Sequence, residues 1–235
     1  MINGKLYLIP TLLGDSLPQE VLPDSIFRVI NRLNYYIAED VRSARRFLKK
    51  AGSSIEIDDI TFFQLNKYTR DDELTGFLGP ALSGQDIGLL SEAGLPCIAD
   101  PGSKVTAMAH RQGVKVIPLT GPSSLILALM ASGLNGQAFV FHGYLPIKNN
   151  EKIKALKKLE HESAIKKQSQ IFMETPYRNI QMFSAITAVC KPSTWLCIAS
   201  DLTLESEFIS TKTIGEWRKQ KPDIHKHPAI FILQV

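Results

Sequence analysis

The chain has 235 residues, of which 44% are hydrophobic and 21% are charged, so it holds enough apolar side chains for one large core or two compact ones. This composition excludes intrinsically disordered, collagen-like and disulfide-scaffold proteins. The 27 basic and 23 acidic residues leave a net charge of +4, which permits an anionic partner without requiring one.

The cysteine pattern bears on the redox compartment. Cys97, Cys190 and Cys197 are odd in number, and none shows a spacing typical of a metal site. We therefore expect free thiols in a reducing compartment, the cytoplasm, and no bound metal.

Two segments bear on targeting and membranes. The first residues, MINGKLYLIP, lack the pattern of a signal peptide. Residues 116–147 contain no Asp, Glu, Lys or Arg, and this span exceeds the roughly 20 residues that cross a bilayer. Because Pro, Gly and Asn interrupt it, we expect a buried helix with flanking strands and no membrane association.

The first half of the chain alternates predicted strands and helices. Strands are predicted at residues 5–10 (KLYLIP), 35–38 (YYIA), within 57–65, at 86–91 (DIGLLS) and at 115–119 (KVIPL). Helices are predicted around 25–31 and 42–51, after Asp71, and up to about Gln112. This alternation is typical of an α/β domain whose mostly parallel sheet has helices on both faces.

The second half predicts a more mixed α/β unit. Its elements are a core helix at 124–132, the strand FVFHG, a Lys-rich helix at 150–167, the strand QIFME, a helix to Val189, the strands WLCIA and EFIS, a short helix and the strand AIFIL. A short crossover near residues 117–122 separates the halves. We therefore expect an N-terminal α/β domain at 1–117 and a C-terminal α/β domain at 118–235.

Ligands of open α/β sheets bind beyond the carboxyl ends of the strands, and four loops qualify as such sites. They are PTLLGD (10–15), SEAGLPCIADPG (91–102), TGPSS (120–124) and ETPYR (174–178). The first is by itself typical of an ordinary turn. The second has the glycines and prolines of a rigid loop that wraps a small molecule.

The polar residues in and near these loops allow more than one role. Ser123 or Ser124 either caps the following helix or directs hydroxyl and N–H groups at a ligand. The ETPYR turn fits catalysis, substrate contact or a surface ion pair. Glu39, Asp40 and Arg42, in AEDVR, fit helix capping or substrate contact.

The remaining charged segments have simpler interpretations. The Lys-rich helix fits a solvated face better than a phosphate-binding face. His225 and His227, in HKH, lack a third metal ligand.

Read in order, the loops resemble those of a known family. The chain shows KLYLIPTLLGD, AEDVRSARRFL, IGLLSEAGLPCIADPG, VIPLTGPSSLILALMASGL, FVFHGYLP and IFMETPYRN. This series resembles the tetrapyrrole (corrin/porphyrin) methylase family, and within it the ribosomal RNA small subunit methyltransferase I branch. The resemblance covers nearly the whole chain, and the SEAGLPCIADPG and TGPSS to SGL blocks are its most specific parts.

The resemblance implies a two-domain tetrapyrrole-methylase-like fold that binds S-adenosylmethionine in a trough between the domains and forms a homodimer. Carried over by motif, the donor-binding positions are Leu13, Ala93, Gly94, Leu95, Ile98, Ser123, Ser124, Glu174, Asp201, Pro228 and Ala229. The chemistry is an in-line transfer that depends chiefly on alignment of the methyl donor and acceptor.

The chemistry of methyl transfer suggests which residues face the methyl acceptor. We expect Glu39, Tyr177 and Arg178 to be catalytic, with Glu39 or Tyr177 assisting proton removal, and Asp40 and Arg42 to bind substrate. Tyr177 stands where the branch has histidine, and ETPYR replaces ESPHR. These departures leave three functions open: methylation of a ribose 2′-oxygen in small-subunit ribosomal RNA, methylation of a tetrapyrrole or other small molecule, and a non-catalytic RNA-binding or assembly module.

Overall fold

The computed structural model describes residues 3–66 and 68–235. The chain forms two compact units, Met1–Ser123 and Ser124–Val235. Each unit contains one five-stranded sheet.

The first unit contains a parallel sheet. Its strands are β1 (Lys5–Ile9), β2 (Tyr35–Ala38), β3 (Thr61–Gln64), β4 (Ile87–Leu90) and β5 (Lys115–Pro118). They lie in the order β3-β2-β4-β1-β5, and every neighbouring pair is parallel. The predicted parallel sheet is confirmed, and β4 is fully buried, as expected of a central strand covered on both faces.

Helices cover both faces of this sheet. They are α1 (Pro18–Val21), α2 (Asp24–Ile30), α3 (Val41–Lys50), α4 (Asp71–Phe77), α5 (Gly79–Leu82) and α6 (Ser103–Arg111). One core includes Ile26 of α2 and Leu48 of α3. A separate core includes Leu78 and Val105 of the α4 to α6 region.

Two local features differ from the sequence prediction. The expected strand within 57–65 begins as a 3-10 turn at Ile57–Asp59, because consecutive aspartates disfavour a strand, and β3 follows it. The expected domain boundary after residue 117 falls inside β5. The Leu119 amide also donates to the Leu8 carbonyl at 3.0 Å, so the chain stays with the first sheet beyond that point.

The second unit contains a mixed sheet, as predicted. Its strands are β6 (Phe139–Tyr144), β7 (Ser169–Glu174), β8 (Trp195–Ser200), β9 (Phe208–Thr213) and β10 (Ala229–Gln234), in the order β6-β7-β10-β8-β9. The β6 and β7 strands are parallel, and the other neighbouring pairs are antiparallel.

The helices of the second unit are α7 (Ser124–Ser132), α8 (Asn149–Lys166), α9 (Asn179–Val189) and α10 (Ile214–Trp217). The α7 helix packs against β8, β9 and β10. The main core combines residues of α8, α9 and α10 with Phe172 and Phe231, whose stacked rings have centroids 5.7 Å apart. Among the described residues, we find no helix with the length and apolarity needed to cross a bilayer.

We expect Phe172→Ala to destabilise the second unit by about 3–5 kcal/mol, because the fully buried ring would leave a cavity beside Phe231. Urea unfolding followed by circular dichroism measures this change. The control Ile165→Ala, at a side chain that is 67% exposed, should change the free energy of unfolding by less than about 0.5 kcal/mol. Equal effects of the two variants would contradict this account of the core.

Candidate active site

The first unit brings four loops to one edge of its sheet. Parallel strands have their carboxyl ends at the same edge, so the loops after β1, β2, β4 and β5 all lie there. The Thr11 amide donates to the Gly94 carbonyl at 2.9 Å. The Ser91 hydroxyl donates to the same carbonyl at 2.8 Å. The PTLLGD and SEAGLPCIADPG loops therefore form one bonded structure.

Glycine is required where these loops meet. Gly94 has φ +71°, and a Cβ there would lie 3.0 Å from Leu13 Cδ2 and 3.2 Å from the Pro122 carbonyl oxygen. A Cβ on Gly121 would lie 2.2 Å from Pro10 Cβ. Three of the predicted loops thus approach each other closely enough to exclude a side chain. We call this contact of Leu13, Gly94 and Pro122 the glycine junction.

The long loop after β4 holds an unusual backbone conformation. Cys97 has φ +68° and Ala99 has φ +57°. The Asp100 carboxylate holds the turn by accepting from the Gly102 amide at 2.8 Å and the Cys97 amide at 3.3 Å. Non-glycine residues at positive φ are strained, and such strain is typical of ligand-binding loops. The Ile98 side chain within this turn is 49% exposed.

Carboxyl groups crowd the same edge. Burial, and next the charge of Asp100, raise the pKa of Glu39. Burial, followed by the charges of Asp40 and Glu39, raises the pKa of Glu92. Burial also raises the pKa of Asp100. The sequence analysis did not single out Glu92 or Asp100. Their position directly after β4 and inside the glycine-rich loop was the available signal.

The structure assigns a capping role to one of the AEDVR residues. The Asp40 carboxylate accepts from the Ser43 amide at 2.8 Å and is the N-cap of α3, so the capping alternative is confirmed for this residue. That hydrogen bond lowers the pKa of Asp40. Glu39 is half-buried beside it, and Arg42 is exposed.

The second unit also gathers predicted residues at one sheet edge. Ala229, the first residue of β10, pairs with Glu174 at the end of β7 and with Ser200 at the end of β8. The Asp201 amide donates to the Pro228 carbonyl at 3.1 Å. The predicted residues Glu174, Asp201, Pro228 and Ala229 are therefore neighbours in space.

Glu174 and Arg178 form an ion pair with a buried carboxylate. Glu174 Oε1 accepts from Arg178 Nη2 at 2.6 Å, from Arg178 Nε at 3.0 Å and from the Thr175 amide at 2.7 Å. The Glu174 side chain is fully buried, and the Arg178 side chain is 29% exposed. Glu174 Oε2 is buried and has no hydrogen-bond partner within the described chain. A buried acceptor without a partner is costly, so it is a candidate contact for a ligand.

A histidine that the sequence analysis set aside lies at this edge. His227 Nδ1 lies 2.6 Å from Asp201 Oδ2, which also accepts from the Ser206 hydroxyl at 2.7 Å. The Lys226 amide donates to the Pro176 carbonyl at 3.1 Å, which places this segment beside the exposed Tyr177. A carboxylate on one ring nitrogen is the arrangement that orients an imidazole as a base. No local motif around HKH indicated this pairing.

Most lysines of α8 are exposed, while Lys152 is buried. Lys148 pairs with Glu151, and Lys158 pairs with Glu162.

Within residues 3–66 and 68–235, no group of three or more His, Cys, Asp or Glu side chains is arranged to hold a metal ion.

Comparison with individual known proteins identifies the family, although no family model matches the chain. The chain is 30% identical over 237 residues to the ribosomal RNA small subunit methyltransferase I of Escherichia coli O157:H7, which covers 99% of this chain and 78% of that protein. The chain belongs to the ribosomal RNA small subunit methyltransferase I family.

Other proteins of the same name are also similar in sequence to this chain. The protein of that name from Haemophilus influenzae is 26% identical over 99% of this chain and 79% of its own length. The one from Halalkalibacterium halodurans is 33% identical over 75% of this chain and 57% of its own length. The family is one of methyltransferases, and the family resemblance and enzyme class predicted from the motifs are confirmed.

Solved structures confirm the fold of this ribosomal RNA small subunit methyltransferase I family member. The methyltransferase CobJ has a TM-score of 0.65 and 15% identity, covering 98% of this chain and 94% of that one. The uroporphyrin-III-C-methyltransferase from Thermus thermophilus has a TM-score of 0.57 and 15% identity, covering 98% and 92%. The tetrapyrrole-methylase-like fold is therefore shared.

We expect Glu92→Gln to raise the free energy of unfolding by about 0.5 kcal/mol at pH 7, the scale of exposed charge pairs. The folded-state pKa of Glu92 is raised, so its ionised form opposes folding above the ordinary glutamate pKa of 4.5. The gain should therefore shrink as the pH falls toward 4.5.

Thermal unfolding midpoints at pH 7 and pH 5 measure this effect. The control Glu56→Gln removes an exposed carboxylate at the start of the 3-10 turn and should leave the midpoint unchanged at both pH values. A midpoint that falls in Glu92→Gln at pH 7 would contradict the account in which burial, and next the charges of Asp40 and Glu39, oppose the ionisation of Glu92.

Proposed function

We propose that this chain transfers a methyl group from S-adenosylmethionine to ribosomal RNA, at the ribose 2′-oxygen of a small-subunit nucleotide. The family relatives are named for ribosomal RNA methylation. The structural observation that carries the proposal is the glycine junction, where the most specific motifs of the sequence meet within contact distance. A rigid junction of this kind suits a reaction that depends on orientation.

We propose donor-binding positions in each unit, taken by itself. In the first unit the positions are Leu13, Ala93, Gly94, Leu95, Ile98 and Ser123, and in the second they are Ser124, Glu174, Asp201, Pro228 and Ala229. S-adenosylmethionine supplies the methyl group. The loop backbone offers N–H and carbonyl groups, and the unpartnered Glu174 Oε2 offers an acceptor for a ribose hydroxyl or amino group.

The remaining predicted residues are candidates for contact with the methyl acceptor. Glu39 suits a base because its raised pKa brings it nearer to neutral pH. Tyr177 is 70% exposed beside Arg178, whose guanidinium retains N–H donors beyond those that Glu174 accepts. Arg42 is exposed and free to contact phosphate, and Asp40 positions the start of α3 beside Glu39. His227, oriented by Asp201, is a third candidate base.

We also propose that the enzyme is a cytoplasmic homodimer. Cys97, Cys190 and Cys197 are free thiols, which suits a reducing compartment. Ile126 and Met130 lie one helical turn apart on α7 and are 39% and 74% exposed, so they offer an apolar strip that a second copy could cover.

We expect Gly94→Ala to weaken S-adenosylmethionine binding at least about tenfold in calorimetric titration, because its Cβ would push apart Leu13 and Pro122. Gly52→Ala is the matched control. Gly52 has φ +74°, so an alanine there has similar backbone strain, but its Cβ would meet no atom within 4 Å.

The control should therefore bind the donor like the wild type. A wild-type protein that does not bind the donor would contradict the enzymatic function and favour a non-catalytic RNA-binding module. Equal affinity of Gly94→Ala and wild type would remove the glycine junction from the donor site.

We expect Tyr177→Phe and Arg178→Lys each to lower kcat/KM for methylation of small ribosomal subunits about tenfold. Tyr177→Phe loses the phenolic hydroxyl. Arg178→Lys loses the pair of hydrogen bonds that Nε and Nη2 donate to Glu174, together with the guanidinium donors proposed to contact the methyl acceptor. Radiolabelled methyl transfer measures the rates, with Arg28→Lys on α2 as a control that should remain unchanged.

Unchanged rates in both Tyr177→Phe and Arg178→Lys would remove this turn from the mechanism. The same assay on a porphyrinogen separates the two enzymatic alternatives. Transfer to the porphyrinogen without transfer to ribosomal subunits would favour a tetrapyrrole acceptor.

A further inference from the structure

A β-bulge redirects the end of β6. The register runs from Phe141 opposite Ile171 to Tyr144 opposite Met173, so two residues of β6 oppose one residue of β7. Gly143, inside the bulge, has φ +64°. Bulges of this kind re-aim the side chains that follow them. Here the bulge leaves the Tyr144 ring 57% exposed at the strand end.

A pocket opens directly beside this bulge. It has a volume of about 470 Å³ and is lined by Tyr144, Leu145, Pro146, Ile147, Thr175 and Arg178. Its size falls in the roughly 300–1,000 Å³ range of small-ligand sites. The Ile147 side chain is 66% exposed. Large apolar side chains exposed around a cavity indicate a surface that binds a partner.

One basic side chain, Arg178, belongs to the lining of the pocket, and a second, Lys148, lies next to the lining residue Ile147 in the chain. Arg178 forms one wall, and Lys148, which follows the loop with an 83% exposed side chain, has its ammonium 3.6 Å from Glu151 Oε1. Glu174, the carboxylate nearest Arg178, is fully buried and already bonded to it. A ligand here is therefore expected to combine a flat apolar part with negative charge.

We propose that this pocket binds one unstacked base of a single-stranded segment of the RNA substrate. Tyr144 stacks on the base, Leu145, Pro146 and Ile147 enclose it, and Arg178 contacts an adjacent phosphate. Exposed aromatic rings beside basic side chains are the usual means of holding single-stranded RNA. The inference rests on the proposed function and extends it, because it assigns the base-recognition residues of the same enzyme.

Binding of a fluorescein-labelled RNA decamer of mixed sequence, measured by fluorescence anisotropy, tests the pocket. We expect Tyr144→Ala to weaken binding about tenfold, because base–aromatic stacking has this scale. Tyr144→Phe keeps the ring and should bind within about twofold of the wild type. Phe139→Ala removes an exposed ring from the other end of β6 and should leave binding unchanged.

A second probe isolates the base. An abasic decamer, which keeps the ribose-phosphate chain, should bind the wild type as weakly as the intact decamer binds Tyr144→Ala, and should not distinguish the two proteins. The proposal is overturned if the wild type does not bind the intact decamer, if Tyr144→Ala binds it like the wild type, or if the abasic decamer binds as tightly as the intact one. Any of these outcomes would exclude an RNA base as the ligand of the pocket.

Donor titration separates this inference from the proposed function. Tyr144→Ala should bind S-adenosylmethionine like the wild type, because Tyr144 is not among the donor positions. If the wild type binds S-adenosylmethionine but Tyr144→Ala binds RNA as tightly as the wild type does, only the base-pocket proposal is overturned. Failure of the wild type to bind the donor, with RNA binding that still depends on Tyr144, would overturn only the methyltransferase proposal.

Discussion

The close approach of Leu13, Gly94 and Pro122 is the contact on which the candidate site of the first unit depends. It brings together loops that follow β1, β4 and β5, and Gly94 favours it because its φ is +71° and a Cβ there would crowd Leu13 and Pro122. The hydrogen bonds from Thr11 and Ser91 to the Gly94 carbonyl then hold the loops in place. A rigid arrangement of backbone groups can orient a ligand with little loss of entropy on binding.

The second unit organises its candidate residues through buried charge. The Glu174 carboxylate is removed from solvent and accepts from Arg178 and from the Thr175 amide, so the whole ETPYR turn is held in one conformation. The Asp201 carboxylate likewise holds the His227 ring in place through a contact with Nδ1. An ionised group in the interior is retained when it is paired and hydrogen-bonded, and its partners thereby acquire fixed positions. Both pairs lie at the edge where β7, β8 and β10 meet.

Local patterns predicted much of this architecture. Strand and helix positions followed from hydrophobic periodicity, and the parallel order of the first sheet followed from their alternation. The 3-10 turn at Ile57–Asp59 was not predicted, because neighbouring isoleucines suggested a strand that the aspartates prevent. The capping role of Asp40 was one of two open alternatives, and the Ser43 hydrogen bond decided it. The pairing of His227 with Asp201 joins residues 26 positions apart and has no local signal.

The sequence by itself determined the order of the elements, the loops that carry function and the family resemblance, because each of these is encoded in contiguous residues. Only the tertiary structure decided which of those loops touch, which carboxylates share an environment that raises their pKa, and where the bulge after Phe141 aims Tyr144. These properties depend on distances between atoms far apart in the chain. Strand register and packing set such distances, and no single segment encodes them.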